Sequence, residues 1–475
     1  MEKWSARLRA VLGSAALVAA SATIAAPAGA DIAVRRAAPW LAATPPRALV
    51  TGDAGRLPLL VRLPPGVAAA DRALLEVAPG LGAIYLDPDA LPAYLATYPD
   101  LEPSVAPPRF PLLDVAGQWT RSPGFSSTTG FDGTGVVVGI IDTGLDVAHA
   151  DFRDLHGNTR VAWLMQSGQP RSYHPELEDE YGCTDPNQSP CAIFSGANID
   201  KLLADFPGMV PRDADGHGTH VTSIAAGSGG TSLPEPPVYY GVAPGATLII
   251  ASPSPGGGFS DPAILNAARF IFDRADALGL PAVVNVSLGS DYGPHDGTSH
   301  LEQGLAALVG DHRPGRVMVV AAGNSGSLYT IGDSGPFGIH TEAHISPHGV
   351  TRAVIRQPGA TGTVSGSAFV WVTFQPGDDV AVGLEGPDGE GIGLTDPGEE
   401  RGYEDEGNTA AVINSLVNGK STLTDDTNSA VVYWDGSWQA DDEFAILLSG
   451  SGYAQLWVTG VGGAGPGSSL GLSFA

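Results

Sequence analysis

Four short apolar runs set the frame of the chain: "VVVGIID" ending at Asp142, "ATLIIAS" around Ile249, "AVVNVSLG" ending at Gly289 and "RVMVVAAGN" ending at Asn324. Each is continuous rather than alternating. Strands of that kind are buried on both faces, as in a parallel sheet covered by helices. Between the runs lie helical patterns: "THVTSIAAG", "DPAILNAARFIFDRADALG" and "SHLEQGLAALVG". In the second, Ile264, Ala267, Ala268, Ile271 and Ala275 recur on one face, and Asp261 is placed to cap the start. Strands alternating with helices predict an α/β domain with its site at the carboxyl ends of the strands.

The pattern differs on either side. Residues 31–115 are rich in Pro and Ala, with "LPLLVRL" as a strand, "DPDALPAYLATYP" as a short helix and "LEPSVAPPRFPLLDVAG" as a linker. They predict a small leader domain before an α/β domain over 116–339. From about residue 340 the helical period disappears. "GTVSGSAFVWVTF", "DVAVGLEGP", "SAVVYWDG", "EFAILLSG" and "YAQLWVTGV" predict an all-β module over 340–475, a sandwich or jelly roll.

Residues 1–30 carry Lys3, Arg7 and Arg9, then an apolar stretch from Val11 to Ala26 and the small-residue site Ala28-Gly29-Ala30. That is the layout of a secretory signal, and no other run is long enough to span a bilayer. The chain has 51 acidic against 24 basic side chains, a formal charge of -27. Such an excess argues against nucleic acid and anionic membrane as partners and suits a secreted protein. Cys183 and Cys191, in "CTDPNQSPC", are expected to form a disulfide in an oxidising compartment. By loop entropy it contributes roughly 2–3 kcal/mol. With no third ligand nearby, zinc is not expected. The acidic stretches "HPELEDEYGC" and "NIDKLLADFPGMVPRDAD" hold oxygens that calcium could use, although solvated loops are the preferred reading.

Chemistry gathers at the ends of the runs. Asp142 closes the first in "IIDTGLD", His217 opens a helix in "DGHGTHVTSIAAG", and Asn324 sits at the turn of "AAGNSG". In chain order "IIDTGLD", "DGHGTHVTSIAAG", "GVAPGATL", "VVNVSLG" and "AAGNSG" resemble the subtilisin-like serine proteases, over roughly residues 115–335. The resemblance implies a subtilisin-like parallel sheet, a polypeptide substrate and no required cofactor. It implies that Asp142 orients His217, that His217 is the general base, and that the Asn324 amide stabilises an oxyanion. It also implies that Ser287, Leu288 and Gly289 form the edge strand that pairs with substrate backbone, and that the leader is a propeptide, a partner of its own protease. His220 is expected to be structural, as are His149 and Asp151.

Asp-Thr-Gly also marks aspartic proteases, which need a second such aspartate; Asp333 in "GDSG" is the candidate. The helices and "HGTH" between the two argue against that reading. One part of the resemblance is missing. The Gly-Thr-Ser-Met-Ala-x-Pro segment that carries the family's nucleophile does not occur in the 475 residues. Ser365 and Ser367 lie in a strand pattern, and Ser468 and Ser469 lack a following helix. Two expectations follow: a secreted endopeptidase whose record stops before the serine, which is favoured, or a catalytically inactive protein that binds peptides with the same fold.

Overall fold

The computed structural model describes residues 56–461 and 472–474, except residues 106–109, 112–127, 231–239, 422–427 and some shorter breaks. The signal-like segment, Asp333, Ser468 and Ser469 lie outside the described residues.

The leader is a four-stranded antiparallel sheet with one short helix. Its elements are β1 (Leu57–Arg62), β2 (Leu75–Ala78), β3 (Leu81–Leu86), α1 (Leu91–Thr97) and β4 (Glu102–Val105), in the order β2-β3-β1-β4. Both faces of this sheet are covered. Leu60, Val77, Leu81 and Ala83 join the core of the α/β domain, while Leu59, Val61, Leu74 and Leu101 join a cluster with the all-β module. The stretch expected to be a linker is therefore partly sheet. β4 belongs to the leader, and a two-residue strand β5 (Phe110–Pro111) pairs elsewhere. Alternation over so few residues, interrupted by prolines, gives no strand signal.

The α/β domain is built on one six-stranded sheet. In chain order its elements are β6 (Val137–Ile141), β7 (Val161–Ser167), α2 (Pro175–Glu180), β8 (Cys191–Ser195), α3 (Gly196–Asp205), α4 (His217–Ala226) and β9 (Thr247–Ser252). There follow α5 (Asp261–Leu278), β10 (Ala282–Val286), β11 (Leu288–Gly289), α6 (His300–Leu308) and β12 (Arg316–Val320). The sheet order is β12-β10-β6-β9-β7-β8, parallel apart from β8. All four apolar runs are in it. β6 is central: the chain fills the β9 side first, then the β10 side, so the order reverses at the carboxyl end of β6. Ligands of open α/β sheets bind at such a switch point.

Helices cover the two faces. α5 lays Ile264, Ala268, Ile271 and Phe272 against one face, and α3 and α4 cover the other with Ile199, Leu202 and Val221. α5 approaches so closely that a Cβ at Gly139 would lie 2.5 Å from Ile271 Cγ2. Its N-cap is Ser260, not Asp261, which is the first helical residue. Cys183 and Cys191 form the expected disulfide, anchoring β8 to the turn after α2.

One apolar run departs from expectation. β12 is a sheet edge, and Val317, Val319 and Val320 are 50%, 51% and 58% exposed. The sequence pattern that predicts burial on both faces is present, but the cover is not among the described residues.

After a hairpin of β13 (Tyr329–Ile331) and β14 (Ser334–Phe337), the chain forms a sandwich. Its strands are β15 (His340–Ile345), β16 (Thr351–Arg356), β17 (Thr363–Phe374), β18 (Ala381–Glu385), β19 (Gly391–Thr395), β20 (Glu399–Asp405) and β21 (Asn408–Asn414). β22 (Leu416–Val417) and β23 (Lys420–Ser421) make a small hairpin before β24 (Asn428–Gln439), β25 (Phe444–Ser449), β26 (Gly452–Val461) and β27 (Ser473–Phe474). The sheets β15-β26-β17-β24-β21-β20 and β19-β18-β25-β16-β27 enclose Val370, Val372, Val432, Trp434, Ile446 and Leu456. Along β17 the alternate residues Phe369 and Trp371 face outward onto the leader cluster.

Candidate active site

Asp142 directly follows β6 and is fully buried. Its Oδ1 accepts from the Thr143 N–H at 2.8 Å and lies 2.6 Å from His217 Nδ1. A carboxylate only accepts, so Nδ1 carries the proton and Nε2 is left as the basic nitrogen. The two residues are 75 apart in sequence. They meet because α4 begins at the carboxyl end of the sheet, beside the loop that leaves β6.

The start of α4 is tied to that loop group by group. Gly216 caps it with φ of +89°, in the left-handed region that favours glycine. The free N–H groups of the first turn all find partners: His217 N donates to Asp215 Oδ1, Gly218 N to Thr143 Oγ1 at 2.8 Å, and Thr219 N to Asp213 Oδ2 at 2.8 Å. The Thr219 hydroxyl donates to the same Asp213 oxygen and accepts from Asp146 N. Burial pushes the Asp213 carboxyl up, but the Thr219 N–H and hydroxyl, with other donors, hold it below its ordinary value. Gly218 packs flush on the loop; a Cβ there would be 2.3 Å from the Gly144 carbonyl oxygen. From below, the Ser252 hydroxyl donates to the Thr143 carbonyl at 2.9 Å. Thr219 stands inside "HGTH", which gives it no stated role, and Asp213 and Ser252 carry no motif of their own in a single sequence. Only the loop's tertiary contacts reveal them.

The remaining candidates lie on the neighbouring strands. β10 leads through Ser287, whose Oγ accepts from the Asn285 amide at 2.8 Å, into β11. β11 pairs antiparallel with β5, Leu288 against Pro111 and Gly289 against Phe110. The leader's own continuation thus lies along this edge as an added strand. β12 runs parallel to β10, Val320 beside Val286, and Ala321 N donates to Val286 O at 3.0 Å. This puts the turn of Asn324 next to the start of β11. Asn324 is exposed, and the adjacent Ser325 hydroxyl donates to Asp291 Oδ2 at 2.8 Å. The described hydrogen bonds do not join Asn324 to His217.

The other expectations divide. His220 is exposed on α4, and its N–H bonds the Gly216 carbonyl. His149 caps a short turn through Nδ1, and Asp151 Oδ2 accepts from Ser223. Ser365 and Ser367 stand on β17 with their hydroxyls bonded across to Ser437 and Asp435 of β24. Neither touches the Asp142–His217 pair. Asp142 meets a histidine, and among the described residues no second carboxylate is bonded to it. Among the described residues no group of three or more His, Cys, Asp or Glu is arranged to hold a metal, and no helix is long and apolar enough to cross a membrane.

The chain is similar to known proteins over its α/β domain. Residues 133–365 match the model of the subtilase family, peptidase S8. A subtilisin-like protease, PopC, of Myxococcus xanthus is 30% identical over 252 residues, 47% of this chain and 44% of the relative. A subtilisin of a Bacillus species is 39% identical over 196 residues, 41% of this chain and 35% of the relative. The chain thus spans less than half the length of these relatives. Among solved structures, the CspB protease of Clostridium perfringens aligns over 72% of this chain and 66% of its own, with a TM-score of 0.54 and 21% identity, a likeness of fold.

Proposed function

We propose, from the premise that residues 133–365 form a subtilase-family domain, that Asp142, His217 and Asn324 are three parts of a serine-type endopeptidase site. The observation that carries this is the 2.6 Å contact between the buried Asp142 carboxylate and His217 Nδ1. Asp142 fixes the tautomer, and its charge favours the imidazolium that forms when Nε2 takes a proton. Such a base acts on a serine hydroxyl within hydrogen-bond reach of Nε2. As the hydroxyl oxygen bonds the peptide carbonyl carbon, its proton moves to His217. The Asn324 amide, beside the edge strand, donates to the carbonyl oxygen as it gains charge, an interaction worth roughly 3–4 kcal/mol. The substrate is an extended polypeptide held by Ser287 to Gly289 through backbone hydrogen bonds. No cofactor enters the chemistry.

In this reading the protein is secreted and residues 31 to about 115 are a propeptide. The pairing of β5 with β11 supports it: the leader's continuation takes the place of a substrate strand. The second reading, a peptide-binding protein without hydrolytic activity, is favoured by one observation: the serine-bearing pattern is absent from the 475 residues.

A fluorophosphonate probe separates the two. The 475-residue chain should remain unlabelled. A gene product that also carries the serine pattern should label, and His217→Ala should abolish the labelling. Labelling of the 475-residue chain at Ser367 would overturn the assignment of the sandwich as separate from the chemistry. Failure of any product of the gene to label would leave the peptide-binding reading.

A further inference from the structure

The segment that follows β11, residues 290–295, is held from three directions. Towards the α/β domain, Asp291 accepts from Ser325, the neighbour of Asn324. Towards the sandwich, Tyr292 sets its ring edge-on to Phe369 and Trp371, with centroids 5.5 and 5.0 Å away. The Thr373 hydroxyl, on the same strand two residues beyond Trp371, donates to the Pro294 carbonyl at 3.3 Å. Finally His295 stacks on Trp457 of β26 at 4.4 Å, the ring planes 9° apart, and the same indole carries His340 at 4.8 Å. His295 has φ of +57°, a left-handed backbone that a side-chain-bearing residue adopts at a cost. Its ring also contacts the Asp291 carbonyl at 3.2 Å.

A loop that served only to connect would have no need of this. Left-handed histidine is unfavourable by itself, and a ring in a loop loses rotamer freedom when it is stacked. Edge-on and stacked aromatic pairs give back an interaction beyond their buried area. All the contacts act on one stretch, the residues immediately after the edge that receives a peptide backbone.

We propose that Tyr292 and His295 are positioning residues for peptide binding, and that the sandwich, through Phe369, Trp371 and Trp457, holds the β11 edge and the Asn324 turn in register. The inference rests on the reading of β11 as the peptide-binding edge. It gives residues 340–475 a part in the groove: the outer face of one sandwich sheet is the mould against which the far wall of the groove is set. None of these residues touches the reacting atoms. Their effect passes through the order of residues 288–291 and through the hydrogen bond from Ser325 to Asp291.

Hydrogen exchange on the intact 475-residue chain reads that order directly. His295→Ala and Trp457→Ala should speed exchange of the amides of residues 288–291 by about tenfold or more. Trp457→Phe, which retains an aromatic face, should restore most of the protection. Exchange in β6 and β10, and the downfield proton resonance of His217 Nδ1–H, should stay as in the parent. His295 is an exposed loop residue, so its variant folds even if the Trp457 variant does not. Unchanged exchange at 288–291 in His295→Ala overturns the proposal while leaving the groove reading in place. Equal acceleration throughout the α/β domain also overturns it, since that is loss of stability alone. Parent protein with no protection at Leu288 and Gly289 removes the peptide-edge reading itself, and the proposal with it.

Discussion

Gly218 shows how little room the paired histidine and aspartate leave. A Cβ at this position meets Gly144 O at 2.3 Å, Gly144 N at 2.8 Å and Asp142 Cβ at 3.1 Å. Two of these are backbone atoms in the loop that carries Asp142, so the contact cannot be relieved by rotating a side chain. Gly218→Ala should cost about 1–3 kcal/mol of stability, as overpacking does. It should also remove the downfield Nδ1–H resonance of His217, because the loop and the helix must part. Asp213 answers to pH. Its carboxyl titrates lower in the folded chain than in the unfolded one, so its contribution is present above the ordinary carboxylate range. It is lost as pH falls through the lower folded value. The first turn of α4 should therefore keep its amide protection down to about pH 4 and lose it below that. In Asp213→Asn the acid-dependent step at Thr219 should vanish. Asp142 and His217 were legible in the sequence because each stands inside a local motif. The parts played by Asp213, Thr219 and Ser252 were not, although Thr219 stands within "HGTH", because a motif names residues and not the hydrogen bonds they make.

Among elements, β12 has an apolar composition that its surroundings do not match. Among the described residues β12 is an edge strand with exposed valines on both faces, and an edge of that kind beside apolar surface is the arrangement that recruits another strand. The 475-residue chain should self-associate at micromolar concentration, and Val319→Lys should shift it towards monomer in light scattering. A monomeric parent would remove that expectation. The disulfide acts on β8, the far edge. By loop entropy Cys191→Ser should lower stability by roughly 2–3 kcal/mol in denaturant titration. The helices α1, α4, α5 and α6 and the strands β6, β9, β10 and β12 were readable from period and length, whereas α2 and α3 stand where the acidic stretches were expected to be solvated loops. β7 and β8 were not read, since "VAWLMQS" mixes Trp, Met and Gln into its run and "CAIFS" is a short run between a loop and a capped helix. The Ser195 capping box that begins α3 was a usable signal that passed unread. β5 had none: two residues among prolines become a strand only because β11 lies opposite.

In the whole molecule the leader is a middle layer, with α5 and α6 on one side and the sandwich on the other. Tyr85, on β3, reports on the first of these contacts. Its hydroxyl bonds Ser260 at 2.7 Å at the start of α5, and burial pushes its pKa up to about 12. A raised phenol favours the neutral form, so this contact stabilises fully below pH about 10, the unfolded value. It weakens as pH rises towards 12. Exchange in β3 should accelerate through that window, and Tyr85→Phe should flatten the dependence. The two-sided burial bears on how the protein is made. Leu59 and Val61 emerge from the ribosome early, while Phe369, Trp371 and Tyr433, which cover them, come roughly 310 to 370 residues later. Until then the first sheet has one face without a cover. Nascent chains stalled between the α/β domain and the sandwich should be those most readily captured by chaperones, and folding of the sandwich is the event that closes the leader in.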